Sequence, residues 1–235
     1  MPRRPRSGCG GLIFHVMNRG ARKIQLFDTA DDYAAFVRVL KCATGRVPMR
    51  ILAYALMPNH WHLVLWPRED PHLSAFMAWS TATHVRRWHL AHGTAGTGTL
   101  YQGRFKAIPV KDDEHFLRLC RYVERNPVRA RLVAAPEQWP WSSASLQGRT
   151  DGPPIHPWPM PRPVDWREYL GTAETDAELA QVRRPGNGPP LGSRDWAVHV
   201  SNHLGWRAGV RRPGPQPSGE GGRFRNELRP RSAVP

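Results

Sequence analysis

The chain has 235 residues, 40% of them hydrophobic, with 34 Lys and Arg against 19 Asp and Glu and a net charge of +15. That length and apolar content allow one ordinary domain with appendages, and so large a basic excess points to a polyanionic partner, nucleic acid ahead of an acidic membrane. Three widely spaced cysteines, Cys9, Cys42 and Cys120, suit neither a disulfide framework nor a zinc ribbon, and no apolar run reaches membrane-spanning length; a secreted disulfide scaffold and a membrane protein are excluded, and a cytoplasmic protein is expected.

Residues 1–10 form a basic arm with no apolar segment after it, as a secretory signal would need. Residues 11–17 read as a first strand, ended by a basic turn at Asn18-Arg19-Gly20. Thr29 caps a helix with Tyr33, Phe36, Val37 and Leu40 at i, i+3, i+4 and i+7, and Gly45 ends it. A second strand, 50–56, turns through Met57-Pro58-Asn59 into a third that begins at His60 and pairs antiparallel with it. A long helix follows from Pro71 to about His92, then a Gly- and Thr-rich connection at 93–99 and a fourth strand over 104–110. Asp112 to Asn126 reads as an acid-capped helix with the apolar stripe Phe116, Leu119, Cys120 and Val123, stopped by Pro127.

This order predicts an α+β fold: a ferredoxin-like β-α-β-β-α-β antiparallel sheet with helices on one face and an added helix bearing Tyr122. Residues 11–150 would make the main domain. Six prolines between 153 and 163 argue against regular structure there, so 151–190 reads as a Pro-rich linker or surface strap. Within 191–210 a helix is expected from Ser193 to Leu204, stopped by Gly205, with Trp196, Val200 and Leu204 as its contacts; the tail 211–235 has the composition of disorder.

Chemistry concentrates in two stretches. Strand alternation puts His60 and His62 on one side, roughly 7 Å apart, with Trp61, Leu63 and Leu65 opposite, and such a pair can share a divalent ion or simply occupy the wetter face of a strand. At 100° per residue Tyr122 and Asn126 stand one turn apart on the edge of the apolar stripe, where a hydroxyl can reach a sheet face; a core-edge tyrosine and a helix C-cap are the plainer alternatives. Arg104 and Lys106 on the fourth strand, and Arg121, Arg125 and Arg129 around the tyrosine, are candidates for phosphate contact, alongside Arg19 in its turn. Asn18, Tyr101 and Gln102 could read or stack on bases. His199 and His203, at i and i+4, lack a carboxylate or cysteine to complete a zinc shell.

Taken together, Met57-Pro58-Asn59-His60-Trp61-His62 and Arg121-Tyr122-Val123-Glu124-Arg125-Asn126-Pro127-Val128-Arg129-Ala130 resemble the REP-associated tyrosine transposases of bacteria, a branch of the HUH single-tyrosine transposases. His15-Val16-Met17-Asn18-Arg19-Gly20, Leu100-Tyr101-Gln102-Gly103-Arg104-Phe105-Lys106, Trp139-Pro140-Trp141-Ser142-Ser143 and Pro190-Leu191-Gly192-Ser193 extend the resemblance over roughly residues 10–205. Arg131 departs from it, since relatives often carry glycine there. The resemblance implies that His60, His62 and Asn126 hold a divalent metal, Mg²⁺ or Mn²⁺, and that Tyr122 attacks a phosphodiester, leaving a 5′-phosphotyrosine and a free 3′-hydroxyl. It implies single-stranded and hairpin DNA of the repeated extragenic palindromic type as partner. The oligomeric state stays open, a monomer being favoured. Two other readings are a domesticated hairpin-binding module with an idle centre, and a metal-dependent phosphodiesterase that uses water.

Overall fold

A computed structural model describes residues 9–146, 152–183 and 193–204. The expected basic arm apart from its last two residues, the Pro190-Leu191-Gly192 motif, the stop at Gly205 and the C-terminal tail lie outside the described residues.

Four strands, β1 (Phe14–Arg19), β2 (Met49–Met57), β3 (His60–Pro67) and β4 (Lys106–Pro109), form an antiparallel sheet in the order β2-β3-β1-β4, the ferredoxin-like order. β2 and β3 join through Pro58-Asn59 alone, with Met57 opposite His60. The strand ends differ from the sequence reading. Asn18 and Arg19 belong to β1, because they pair with Trp61 and His60, and Arg104 lies before β4 rather than in it.

Helix α1 (Ala30–Arg46) starts with the reciprocal cap that Thr29 and Asp32 announce. It runs through Gly45 and ends at Val47, which is held extended by the proline after it. Helix α2 (Asp70–Ala91) packs beside α1. Phe36, Leu40, Leu73, Phe76 and Met77 of these helices bury Phe14, Val16, Trp61, Leu63 and Leu65 of the sheet.

The opposite face is also covered, contrary to the expectation of helices on one face only. Helix α3 (Asp113–Glu124), capped by Asp112, lays Phe116, Leu119, Cys120 and Val123 on Leu52, Ala53, Ala55 and Val64. A β-bulge lets this happen: Ile51 pairs with Leu65 and Ala53 with Val64, so Leu52 is an extra residue and Leu52 and Ala53 both turn to the second face. Pro127 does not end the helical path. After Arg125 a short helix, α4 (Asn126–Arg129), takes Pro127 in its first turn, where a missing N–H costs nothing. It closes with Arg131 N–H donating to Val128 and Leu132 N–H to Pro127, which places Arg131 at φ 58°.

The Pro-rich segment is a strap, and it carries helices that the proline content concealed, α5 (Trp166–Gly171) and α6 (Asp176–Val182). Only the Thr175-x-x-Glu178 capping box marked α6 in the sequence. The strap starts on β2, an edge strand: His156 N–H donates to Ile51 O at 2.8 Å and the Trp158 indole to Leu52 O at 3.0 Å, at the bulge. Trp166, Leu170 and Val182 then complete the second core. Glu124, fully buried, accepts from Ser143 Oγ at 2.6 Å and from the Trp166 indole at 3.0 Å, tying the end of α3 to Ser143 and to α5 of the strap. Helix α7 (Arg194–His203), capped by Ser193, returns to the first core through Val200 and Leu204.

Candidate active site

Because β1 and β3 are antiparallel neighbours, Met17 lies opposite His62 and Arg19 opposite His60. With Trp61, Leu63 and Leu65 committed to the first core, His60 and His62 face the second side, the side that α3 covers. Tyr122 stands on the edge of α3 above them. Its ring centroid is 5.7 Å from that of His62, and the rings of His60 and His62 are 5.1 Å apart. These groups line a cavity of about 450 Å³ together with Met17, Asn18, Arg19, Gln102, Gly103, Arg104 and Lys106. Three cations and no carboxylate line it, an electropositive cleft at the end of which the phenol sits.

The histidines are in the state a metal ligand needs. Burial, reinforced by Arg19 and Arg129, lowers His60 to about 4, and burial with neighbouring His15 and His60 holds His62 well below the usual imidazole range, so both are neutral at pH 7. His60 Nδ1 lies 2.7 Å from Asn59 Oδ1, which can only accept; the proton sits on Nδ1 and Nε2 is left with its lone pair. Among the described residues no group of three or more His, Cys, Asp or Glu is disposed to hold a metal ion by itself. A cation at His60 and His62 would therefore be completed by amide or phosphate oxygens, an incomplete shell suited to catalysis rather than to structure. Asn126 is buried one turn below Tyr122, its amide donating to the Tyr122 carbonyl at 3.1 Å, and it does not line the cavity.

Of the expected nucleic-acid contacts, Asn18, Arg19, Gln102, Arg104 and Lys106 all reach the cavity wall. Asn18 is held there by donating to Gly103 O at 3.1 Å. Three others are placed elsewhere. Tyr101 is buried: its hydroxyl accepts from the Trp61 indole at 3.0 Å and lies 2.6 Å from His84 Nδ1, so it belongs to the first core and cannot stack on a base. Arg121, 3% exposed, donates to Glu178 at 3.0 Å and to the carbonyls of Thr172 and Ala173, and lies over the Tyr169 ring. Arg125, also buried, binds Glu174 at 3.0 Å and the Leu170 carbonyl. Both guanidiniums are neutralised by the strap, which removes them from phosphate contact. Arg129 divides its contacts: one nitrogen donates to Glu174 at 2.6 Å while the guanidinium lies 4.2 Å over the Tyr122 ring. His199 and His203 stack on one face of α7 with no third ligand among the described residues.

One residue beside the site was not singled out in the sequence. His15 lies between Phe14 and Val16, both in the first core, so strand alternation sends it to the face of His62; that alternation was the available signal. Its Nε2 is 2.8 Å from His62 Nδ1, the rings edge to edge with centroids 5.0 Å apart.

A fold of this kind is also what the comparisons with known proteins find. Residues 10–126, from β1 to the start of α4, match the family model described as Transposase IS200 like, and the chain belongs to that family of transposases. Among solved structures, the chain is similar in fold to a REP-associated tyrosine transposase bound to a REP hairpin, at 21% identity and a TM-score of 0.51, over 66% of this chain and 89% of that one. A second likeness, to a protein described as a transposase from Deinococcus radiodurans R1, has 16% identity and a TM-score of 0.37 over 52% of this chain and 88% of that one. Comparison with curated proteins finds no match.

Proposed function

We propose that this transposase is a metal-dependent single-strand DNA endonuclease and strand-transferase, acting on hairpin DNA of the REP type through a 5′-phosphotyrosine on Tyr122. The observation that carries the reading is the placement of Tyr122 above the neutral pair His60 and His62 in one cavity walled by cations. The hairpin follows from the similar transposase whose structure contains one.

His60 and His62 would hold Mg²⁺ or Mn²⁺, with Asn126 Oδ1 as third ligand once its side chain turns into the cavity that it does not line as placed, and the ion would neutralise the scissile phosphate and favour the phenolate as nucleophile. The Tyr122 oxygen attacks phosphorus, the P–O3′ bond breaks, and the departing 3′-oxygen takes up the proton that the phenol releases. Phosphodiester energy is kept in the tyrosyl ester, so rejoining to another 3′-hydroxyl needs no nucleotide cofactor. Arg19, Arg104 and Lys106 draw the backbone into the cleft, while Asn18 and Gln102 contact unpaired bases and set the register. A stiff duplex cannot bring its phosphate down beside a helix edge as an unpaired flank can.

A hairpin oligonucleotide with an unpaired flank tests this. The wild type is expected to give a covalent protein–DNA adduct on a denaturing gel, lost on chelation, restored by Mn²⁺ or Mg²⁺, and nearly absent with the same sequence as perfect duplex. Tyr122→Phe should abolish cleavage by more than about a thousandfold yet bind the hairpin normally, since it removes the nucleophile and no charge. Near-wild-type nicking by Tyr122→Phe, or equal nicking of duplex, would favour the water-using phosphodiesterase instead.

A further inference from the structure

His15 has no part in the reaction just described, yet its Nε2 lies 2.8 Å from His62 Nδ1, and both rings are buried. Each ligand histidine has its Nδ1 engaged, His60 by the carbonyl oxygen of adjacent Asn59 and His62 by a ring 47 residues away. We infer that His15 is a positioning residue for the metal centre: its Nε2 accepts the hydrogen on His62 Nδ1, which leaves the lone pair of His62 Nε2 for the cation.

The proton count fixes the direction of this bond. Two imidazole nitrogens 2.8 Å apart share a single hydrogen along the contact, so one ring donates and the other accepts. If His15 donated, His62 would carry its own hydrogen on Nε2 and could not ligate. If His62 donates, its Nε2 is bare, matching what Asn59 imposes on His60, and His15 keeps its hydrogen on Nδ1. The two rings meet edge to edge, 27° from coplanar, so the bond fixes the rotation of His62 as well as its tautomer.

This inference rests on the metal reading above, and the experiment separates the two. Mn²⁺ binding to the full chain is measured by isothermal titration calorimetry, with thermal unfolding as a check on folding. His15→Leu fills the space without an acceptor and is expected to weaken Mn²⁺ binding about 10- to 100-fold, whereas His15→Gln, whose amide oxygen can take the place of Nε2, should stay within about threefold of wild type. Wild-type affinity in a folded His15→Leu variant, or equal losses in both variants, overturns the positioning role. Absence of Mn²⁺ binding by the wild type overturns the metal reading itself. Histidine ¹⁵N NMR of the wild type saturated with Mg²⁺ needs no variant: His62 protonated on Nδ1 and His15 bare on Nε2 is the expected pattern, and the reverse refutes it.

Discussion

Asn126 spends one amide hydrogen on the carbonyl of Tyr122, and its side-chain oxygen would serve as a ligand only after turning into the cavity that it does not line. Asn126→Ala is expected to lower Mn²⁺ affinity and cleavage about 10- to 100-fold while the hairpin still binds; unchanged metal dependence in that variant would leave Asn126 as a helix-junction residue only. Arg131 carries the opposite kind of information. At φ 58° it occupies the left-handed position that closes α4, where a Cβ is strained and glycine is favoured. Arg131→Gly should raise stability by up to about 1 kcal/mol, less the extra freedom glycine gains in the unfolded chain, and leave cleavage unchanged. Urea denaturation reads this directly, and a destabilised variant would show that the arginine side chain contributes more than the backbone strain costs.

At the scale of elements, α3 is held between a sheet and a strap. Arg121 and Arg125 attach it to α6 and to the loop before it through Glu178 and Glu174, and Glu174 also fixes the guanidinium that lies over Tyr122. The tyrosine helix is thus aimed by residues about 50 positions later in the chain. Two substitutions separate this role from DNA contact. Arg121→Met should destabilise the fold by about 3 kcal/mol, because Glu178 and two carbonyls lose their partner, with no change in the salt dependence of hairpin binding. Lys106→Met should do the reverse: stability within about 0.5 kcal/mol and a salt slope shallower by about one phosphate contact. Binding titrations across ionic strength give the slopes, and a shallower slope for Arg121→Met would restore its phosphate role.

For the whole molecule, burial of neutral histidines sets the response to pH. His15 and His84 are lowered to about 3 and His60 to about 4, in each case chiefly by burial, against 6.5 when free. Their unfolded forms bind protons that the folded forms do not, so stability is fully present above pH 6.5 and is lost as pH falls from there towards 4. His15 and His84 should each cost about 2 kcal/mol at pH 5. Glu124 works in the other sense, since burial raises its pKa and protonation favours the fold, but it is one group against several. Chemical denaturation at pH 7.5 and 5.0 should therefore show a loss of several kcal/mol, and equal stability at the two values would mean that these rings are hydrated.

Features that depend on near neighbours could be read without a structure. Thr29 and Asp32 cap α1, Asp112 caps α3, period-two alternation puts His60 and His62 on one face, and helical period puts Tyr122 at the edge of an apolar stripe; each depends on neighbours within one turn or one strand. Motif order then indicated the family to which the chain belongs. Only tertiary structure decided which side of the sheet α3 covers, and so that the tyrosine meets the histidines, because that depends on the bulge at Leu52 and on the apolar face left unburied by α1 and α2. It also decided that Arg121 and Arg125 are neutralised by Glu178 and Glu174, that Tyr101 is sealed beneath Trp61 and His84, and that His15 touches His62. A charge or a hydroxyl looks the same in sequence whether it faces solvent or a partner; which it meets is settled by contacts between residues far apart in the chain, which no local period encodes.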